Sequence, residues 1–314
     1  MQETQSGQSR GLLFAIFAYL LWGVAPIYFL LMSAVAPLEV VGWRVLSTVI
    51  VCIGLVALLR RWKQLRAVLR DRRTLLWLVL AGIVIFANWT IFVFAVITGH
   101  IIESALGYFL NPILTVLLGV LVLHERLRPA QWVAVAVSVV AVVVLVIGYG
   151  EFPWISIGLA LAFGIYGLCK KQVGQLDPIT GFTVETIAVV PLAVGILIVT
   201  SLTTGLGIVA ADTSTQLAVA GFGIITAAPL LLFASAARRV SLATLGLTQY
   251  IAPVLSFLFG AFVMNESMPL ERWIGFALVW VSLVILSVDI VMHHGKTVRA
   301  RRRAPLTGEI PLNS

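Results

Sequence analysis

The sequence predicts an all-α integral membrane protein: ten transmembrane helices built as two inverted five-helix repeats, with the N and C termini both cytoplasmic. Three observations predict it. Apolar residues come in runs of membrane-spanning length, basic residues occupy alternate loops, and the two halves of the chain match at one constant offset.

Of 314 residues, 61% are hydrophobic and 11% are charged. A soluble domain carries about 25% charged residues, so this chain lacks the charge to coat a water-soluble globule. About 20 apolar residues in a helix span about 30 Å of hydrocarbon. Ten such runs are read at 12–32, 39–59, 75–97, 102–123, 130–148, 154–170, 180–200, 215–236, 243–264 and 271–292. Lipid satisfies no backbone polar group, which requires helices or a closed barrel. The runs do not alternate as barrel strands do. The first run is too long for the apolar core of a signal peptide. Cys52 and Cys169 fall within runs and form no disulfide framework.

The net charge of +8 invites a nucleic-acid reading, but its distribution argues against one. Of the 21 Lys and Arg, 19 lie before the first run, in alternate loops or in the tail: Arg10; Arg60 to Arg73; Arg126 and Arg128; Lys170 and Lys171; Arg238 and Arg239; Lys296 to Arg303. The other loops carry Glu39, Glu103, Glu151, Asp212 and Glu266. Positive loops stay in the cytoplasm, which places both termini there and demands an even number of spans. The segment 60–73 sets basic residues beside Trp62, Leu65, Val68 and Leu69, the pattern of an amphipathic stretch on an anionic leaflet.

At one constant offset, Gly23 falls on Gly164, Pro37 on Pro178, Pro112 on Pro253, Gly119 on Gly260, Glu125 on Glu266 and Trp132 on Trp273. Five spans per half is an odd number, so the second half enters the membrane from the opposite side. The expected division is one membrane domain made of repeats 1–150 and 151–295, with a basic, disordered tail at 296–314. Inverted repeats suit alternating access, with the binding site at mid-membrane.

Residues 119–132, with His124, Glu125, Arg126, Gln131 and Trp132, resemble the end of an EamA repeat, and Asn265, Glu266, Ser267, Arg272 and Trp273 repeat them. Tyr19, Trp22, Gly23 and Pro26 also fit. On these residues the chain resembles the drug/metabolite transporter superfamily and its EamA-type ten-helix transporters. Trp22, Gly23, Pro26, Tyr28, Phe29, Trp43, Arg44, Asn88 and Trp89 are similar to its RarD branch. The resemblance covers residues 10–292. It implies a secondary transporter of a small organic solute in the cytoplasmic membrane, without enzyme activity or cofactor; the superfamily's cargo ranges over amino acids, sugars, nucleotide conjugates and drugs.

Pro112 and Pro253 lie mid-run, and each removes the hydrogen bond to the carbonyl four residues earlier, that of Tyr108 or Gln249. Pro26 and Pro229 are further kink candidates. The freed carbonyls, with Asn111 and Tyr250 beside them, suggest a cavity; a packing kink is the alternative. Trp22, Asn88, Trp89, Tyr108, Tyr166, Gln249 and Tyr250 complete the candidate lining, although Trp and Tyr also populate interfacial belts. Arg44 and Glu185 coincide at the same offset. At about 1.5 Å rise per residue, the inverted topology separates them by about 15 Å in depth. The expected partner of Arg44 is Glu103. For Glu185 it is Lys170, Lys171, Arg238 or Arg239. These pairs are candidate gates, with snorkelled anchors as the alternative. His100 and Glu103, at i and i+3, are candidates for proton coupling. No second ligand pair accompanies them, so no metal is expected. Glu125 and Glu266 are read as ties from a loop to the following helix.

Gly295-Lys296-Thr297 lacks the first glycine of a phosphate loop, and Gly205, Gly207 and Ala210 follow no strand, so no nucleotide site is expected. The expected partners are the lipid bilayer, the solute and protons; monomer and homodimer both stay open. A membrane-embedded enzyme and a non-transporting sensor are the competing classes. The first needs a catalytic cluster at one interface and the second an added soluble domain.

Overall fold

The computed structural model describes residues 2–123, 127–149, 152–173, 176–237, 239–240 and 248–303. Among these the protein is helical throughout. Seven helices are long and apolar enough to cross a membrane, and three shorter apolar helices cover Ile101–Leu114, Trp154–Lys170 and Ile251–Val263. The protein is a multi-pass membrane protein. Its outward faces are apolar: Ile50 is 71% and Leu76 70% exposed, an arrangement suited to lipid and not to water.

The elements in chain order are α1 (Gln2–Gly23), α2 (Ala25–Leu30), α3 (Pro37–Leu58), α4 (Trp62–Arg70), α5 (Arg72–Ile97), α6 (Ile101–Leu123), α7 (Pro129–Tyr149), α8 (Trp154–Val173), α9 (Pro178–Thr203), α10 (Gly207–Ala210), α11 (Thr213–Ala237), α12 (Ile251–Leu258), a π-helical turn (Phe259–Val263) and α13 (Leu270–Arg303). Several start at proline, whose missing N–H has no intrahelical partner in a first turn. Asp71 and Asp177 cap α5 and α9 by accepting from backbone amides, and Thr74 hydrogen bonds hold the Asp71 carboxyl below its ordinary range.

The principal helix packings pair α3 with α9, α6 with α12, and α7 with α13; they also pair α5 with α8 and α9, α6 with α8, α1 with α11 and α12, and α3 with α11. Every one of these joins the first half of the chain to the second. Replacing each helix by its counterpart in the other repeat maps this set of pairs onto itself. Close approach depends on glycine. A Cβ on Gly82 of α5 would stand 2.5 Å from the Glu185 carbonyl oxygen of α9, and one on Gly223 of α11 would stand 2.4 Å from the Ser47 carbonyl oxygen of α3. The offset that carries Gly23 onto Gly164 also carries Gly82 onto Gly223. In α7 and α13 the clasp is polar: the Ser138 hydroxyl donates to Ser282 Oγ at 2.7 Å, Ser282 donates to the Ala134 carbonyl at 2.7 Å, and Arg128 pairs with buried Asp289.

Three expectations change. Pro253 does not kink a continuous helix. The chain turns at Gln249 and Tyr250, and Pro253 is the third residue of α12, where its N–H would be unpaired anyway. Pro112 and Pro229 stay inside continuous helices, as does Pro191, while Pro26 sits in the first turn of α2 after a break at Val24. The tail expected to be disordered is helical through Arg303; Ala, Lys and Arg are strong helix formers, and they extend a helix already nucleated by the preceding span. The first helix likewise begins at Gln2, ahead of the apolar run.

Gly82→Ala and Gly223→Ala are each expected to destabilise the protein by about 1–3 kcal/mol through overpacking. Gly54→Ala, which meets nothing within 4 Å, is expected to leave stability unchanged or raised. Melting of the purified variants in detergent checks this.

Candidate functional site

Helices α3, α5, α6, α8 and α9 bring a column of polar and aromatic side chains together. At one level Arg44 of α3 lies with its Cζ 4.4 Å from the Trp89 ring centroid and 5.2 Å from that of Phe29. Its Nε and Nη1 are buried and have no hydrogen-bond partner. Asn88 of α5 is buried; its Nδ2 donates to the Leu159 carbonyl of α8 at 3.1 Å, and its Oδ1 accepts from the Tyr108 hydroxyl of α6 at 3.4 Å. Tyr108 packs against Phe92 and Phe163, and Phe163 against Tyr166. The column ends at Glu185 of α9. Its carboxylate is fully buried, accepts from the Tyr166 hydroxyl at 2.9 Å and pairs with Lys170 Nζ at 2.5 Å.

The energetics of the two charged positions differ. A lone charge at the bilayer centre costs about 2.5–3.5 kcal/mol on insertion scales. Glu185 offsets its cost with an ion pair and a neutral donor. Arg44 has only ring faces, each worth about 2 kcal/mol when desolvated, and rings accept no conventional hydrogen bond from the guanidinium. The offset between the halves carries Arg44 onto Glu185 and Phe29 onto Lys170. The same pair of positions is therefore in contact in both halves, as Lys170 with Glu185 in one and as Phe29 with Arg44 in the other.

Contacts between the two halves also pin both ends of the bundle. At the end bearing the acidic loops, Glu39 is buried and accepts from Gly207 N at 2.8 Å, Ile208 N at 3.1 Å and Trp43 Nε1 at 3.2 Å. Glu266 accepts from Ile101 N at 2.7 Å and Ile102 N at 3.0 Å, capping the positive end of α6. Burial raises the Glu266 carboxyl above its ordinary range, against the lowering by the two amides. At the basic end, Arg61 pairs with Asp177 at 3.2 Å. Two cavities open at these ends: one of about 220 Å³ beside Arg61, Asp177 and Arg239, and one of about 210 Å³ beside His100, Glu103 and Trp154. Neither is lined by the Arg44–Glu185 column.

The structure thus brings Asn88, Trp89, Tyr108 and Tyr166 into one column with Arg44 and Glu185, and leaves other candidates elsewhere. Trp22 packs with Tyr19 and Phe233, between α1 and α11. Tyr250 lies beside Ser287 of α13. Asn111 is buried in α6, with Oδ1 lacking a partner, and Gln249 is half-buried in the turn before α12. Arg44 does not take Glu103 as its partner; it stacks on rings, while Glu103 lines the cavity with His100, whose Nδ1 meets Thr98 Oγ1 at 2.9 Å. Of the cations named for Glu185, Lys170 meets it. Glu266 ties its loop to α6 across the halves, not to the following helix: its carboxylate accepts from the two free first-turn amides of Ile101 and Ile102. Glu125 lies outside the described residues. Among those described, no group of three His, Cys, Asp or Glu forms a metal site. Sequence reading missed Phe29 as the neighbour of Arg44, and the pair Gly82 and Gly223. The offset that exposed Pro112 and Pro253 would have found both.

The EamA-like transporter family matches twice, over residues 9–147 and 153–288. The chain belongs to that family. Protein RarD of Streptomyces exfoliatus is 42% identical over 98% of this chain and 96% of the relative. An uncharacterized transporter of Vibrio cholerae is 38% identical over 97% and 99%, and protein RarD of Escherichia coli 35% identical over 92% and 97%. The chain is therefore of the RarD-like branch and is a membrane transporter. A solved crystal structure at 21% identity superposes with a TM-score of 0.58, covering 88% of this chain and 96% of that one; that likeness bears on the fold alone.

Breaking a buried pair leaves an uncompensated charge. Lys170→Met is expected to cost about 3–5 kcal/mol of stability, and adding Glu185→Gln to it is expected to restore most of the loss. A double-mutant cycle on melting in detergent checks this; additive losses would mean the pair carries no coupling. Glu266→Ala is expected to cost about 1–2 kcal/mol through the lost cap, read in the same way.

Proposed function

We propose that the protein is a secondary transporter carrying a small organic solute, such as an amino acid, metabolite or drug-like compound, across the cytoplasmic membrane by alternating access. Ten helices span the bilayer as two inverted repeats, 1–150 and 151–295, with both termini in the cytoplasm. Protons are the coupling ion, and Glu185 is the group that carries them.

One observation carries this reading: the principal helix pairs, and the contact of residues 44 and 185 with their neighbours 29 and 170, exchange under a single offset. A structure related to itself by exchange of halves has two conformations of similar energy, one the inverse of the other. Opening one end then requires breaking only the cross-half contacts of that end. At one end these are the caps made by Glu39 and Glu266, and at the other the pair of Arg61 with Asp177. The column between them is where a solute contacts both halves. The twofold match to the transporter family supports the same reading. Protonating Glu185 removes its attraction for Lys170, which links proton binding to a rearrangement of α8 against α9 within the second half.

The test uses purified protein in liposomes loaded with a metabolite extract, with and without a proton gradient, and mass spectrometry of what leaves. A short set of compounds is expected to leave faster than from empty liposomes, with a rate that follows the gradient. Asn88→Ala is expected to slow release about tenfold, the effect of about 1.4 kcal/mol, measured on the folded fraction because the lost hydrogen bonds to Leu159 and Tyr108 also lower melting, by about 1–3 kcal/mol of stability. Release no faster than from empty liposomes in both conditions would overturn the transporter reading; release indifferent to the gradient would overturn proton coupling.

A further inference from the structure

The two halves differ most sharply at the position they share. In the second half the buried charge of Glu185 is met from within the protein, by Lys170 and the Tyr166 hydroxyl. In the first half the charge is Arg44, half-buried overall with Nε and Nη1 enclosed, and the residue standing where Lys170 stands in the repeat is Phe29, 2% exposed. The guanidinium is held between the Phe29 and Trp89 rings, its Nε and Nη1 are buried without an acceptor, and the Tyr108 hydroxyl is the ionisable group it interacts with electrostatically. The fold has kept the contact and given up the counter-ion. A cation so held is a receptor for an anion that the protein does not itself supply.

We propose that Arg44 anchors the anionic group of the solute, and that the solute is a small monocarboxylate with an aromatic or flat apolar body. This assignment rests on the transporter reading for its purpose, while the site itself stands on geometry. Charge count selects the class: one unpaired cation balances one negative charge, whereas a phosphate dianion needs two, and Lys170 is already engaged by Glu185. The walls select the body, because the Trp89, Phe29 and Tyr108 rings offer flat apolar contact and hydrogen bonding only at the Tyr108 hydroxyl and Asn88. A carboxylate replaces the missing acceptor with a charge-assisted hydrogen bond. The guanidinium's ring contacts already hold it in place, so little ordering is lost on binding.

The probe pair is benzoate and its neutral near-isostere benzamide, added at equal ionic strength to the purified full-length protein in detergent. Benzoate is expected to raise the melting temperature by about 2 °C or more, benzamide and inorganic phosphate not to raise it. Arg44→Gln is expected to abolish the benzoate shift and Arg44→Lys to keep part of it. Should the Gln variant fail to fold, Phe29→Glu gives a second reading: a carboxylate at position 29 supplies the missing counter-ion internally, and the benzoate shift is expected to disappear. Equal shifts from benzoate and benzamide, no shift from benzoate, a larger shift from phosphate, or a benzoate shift that survives Arg44→Gln or Phe29→Glu would each overturn the assignment. The readout is binding, so it can fail while liposome release succeeds, and succeed while release fails; the two readings are separately exposed.

Discussion

Hydrocarbon offers no hydrogen bond, and most of what distinguishes this protein follows from that constraint. Backbone groups must be satisfied within helices, which sets the element type. Polar side chains must find partners inside the bundle, which sets where helices meet. Asn88 reaches the Leu159 carbonyl, Ser138 and Ser282 clasp α7 to α13, and Glu39 and Glu266 each bond a pair of helix-start amides on the other half of the chain. Removal of water also makes each unmet charge expensive, so the positions of Arg44 and Glu185 are informative in a way that surface charges are not.

The halves are interleaved. Helix pairs such as α3 with α9 and α5 with α8 make the core from both halves at once, so neither half buries its own apolar and polar faces alone. Glycines set the approach: Gly82 and Gly223 admit a neighbouring backbone where any side chain would collide. Small residues are the usual means of close packing between helices in lipid, where there is no hydrophobic force to draw them together. In the alternating access proposed above, a movement that separates the halves at one end would rotate them about the shared column and so couple the polar contacts at the two ends.

The correspondence between halves is also the frame in which departures become visible. A salt bridge between buried Glu185 and half-buried Lys170 in one half and a half-buried cation on aromatic faces in the other occupy equivalent positions, 170 with 185 and 29 with 44. The exchange of Lys for Phe changes an internally neutral site into one with a net charge. Similarly, α6 runs unbroken through Pro112, while its counterpart is interrupted at Gln249 and Tyr250, so that Pro253 starts a helix instead of bending one. Fold symmetry and site asymmetry coexist because packing depends on residue size and spacing, which the repeats share, while charge depends on single substitutions.

The sequence by itself determined the class and where most of the apolar helices lie, because apolar length is a local property readable from the chain, while the ends of the first and last helices and the break at Gln249 and Tyr250 were not. It also determined the offset between the halves, and with it which residues are equivalent. It singled out Arg44, Glu185, Asn88 and Tyr108 because polar side chains inside apolar runs are conspicuous. Tertiary structure alone decided which of them meet. That Arg44 stacks on Phe29 and Trp89 and does not pair with Glu103, that Trp22 and Tyr250 fall outside the column, and that Glu266 caps α6 all depend on helix rotation and approach. Those are set by interlocking side chains from several helices at once, and no run of residues read alone contains them.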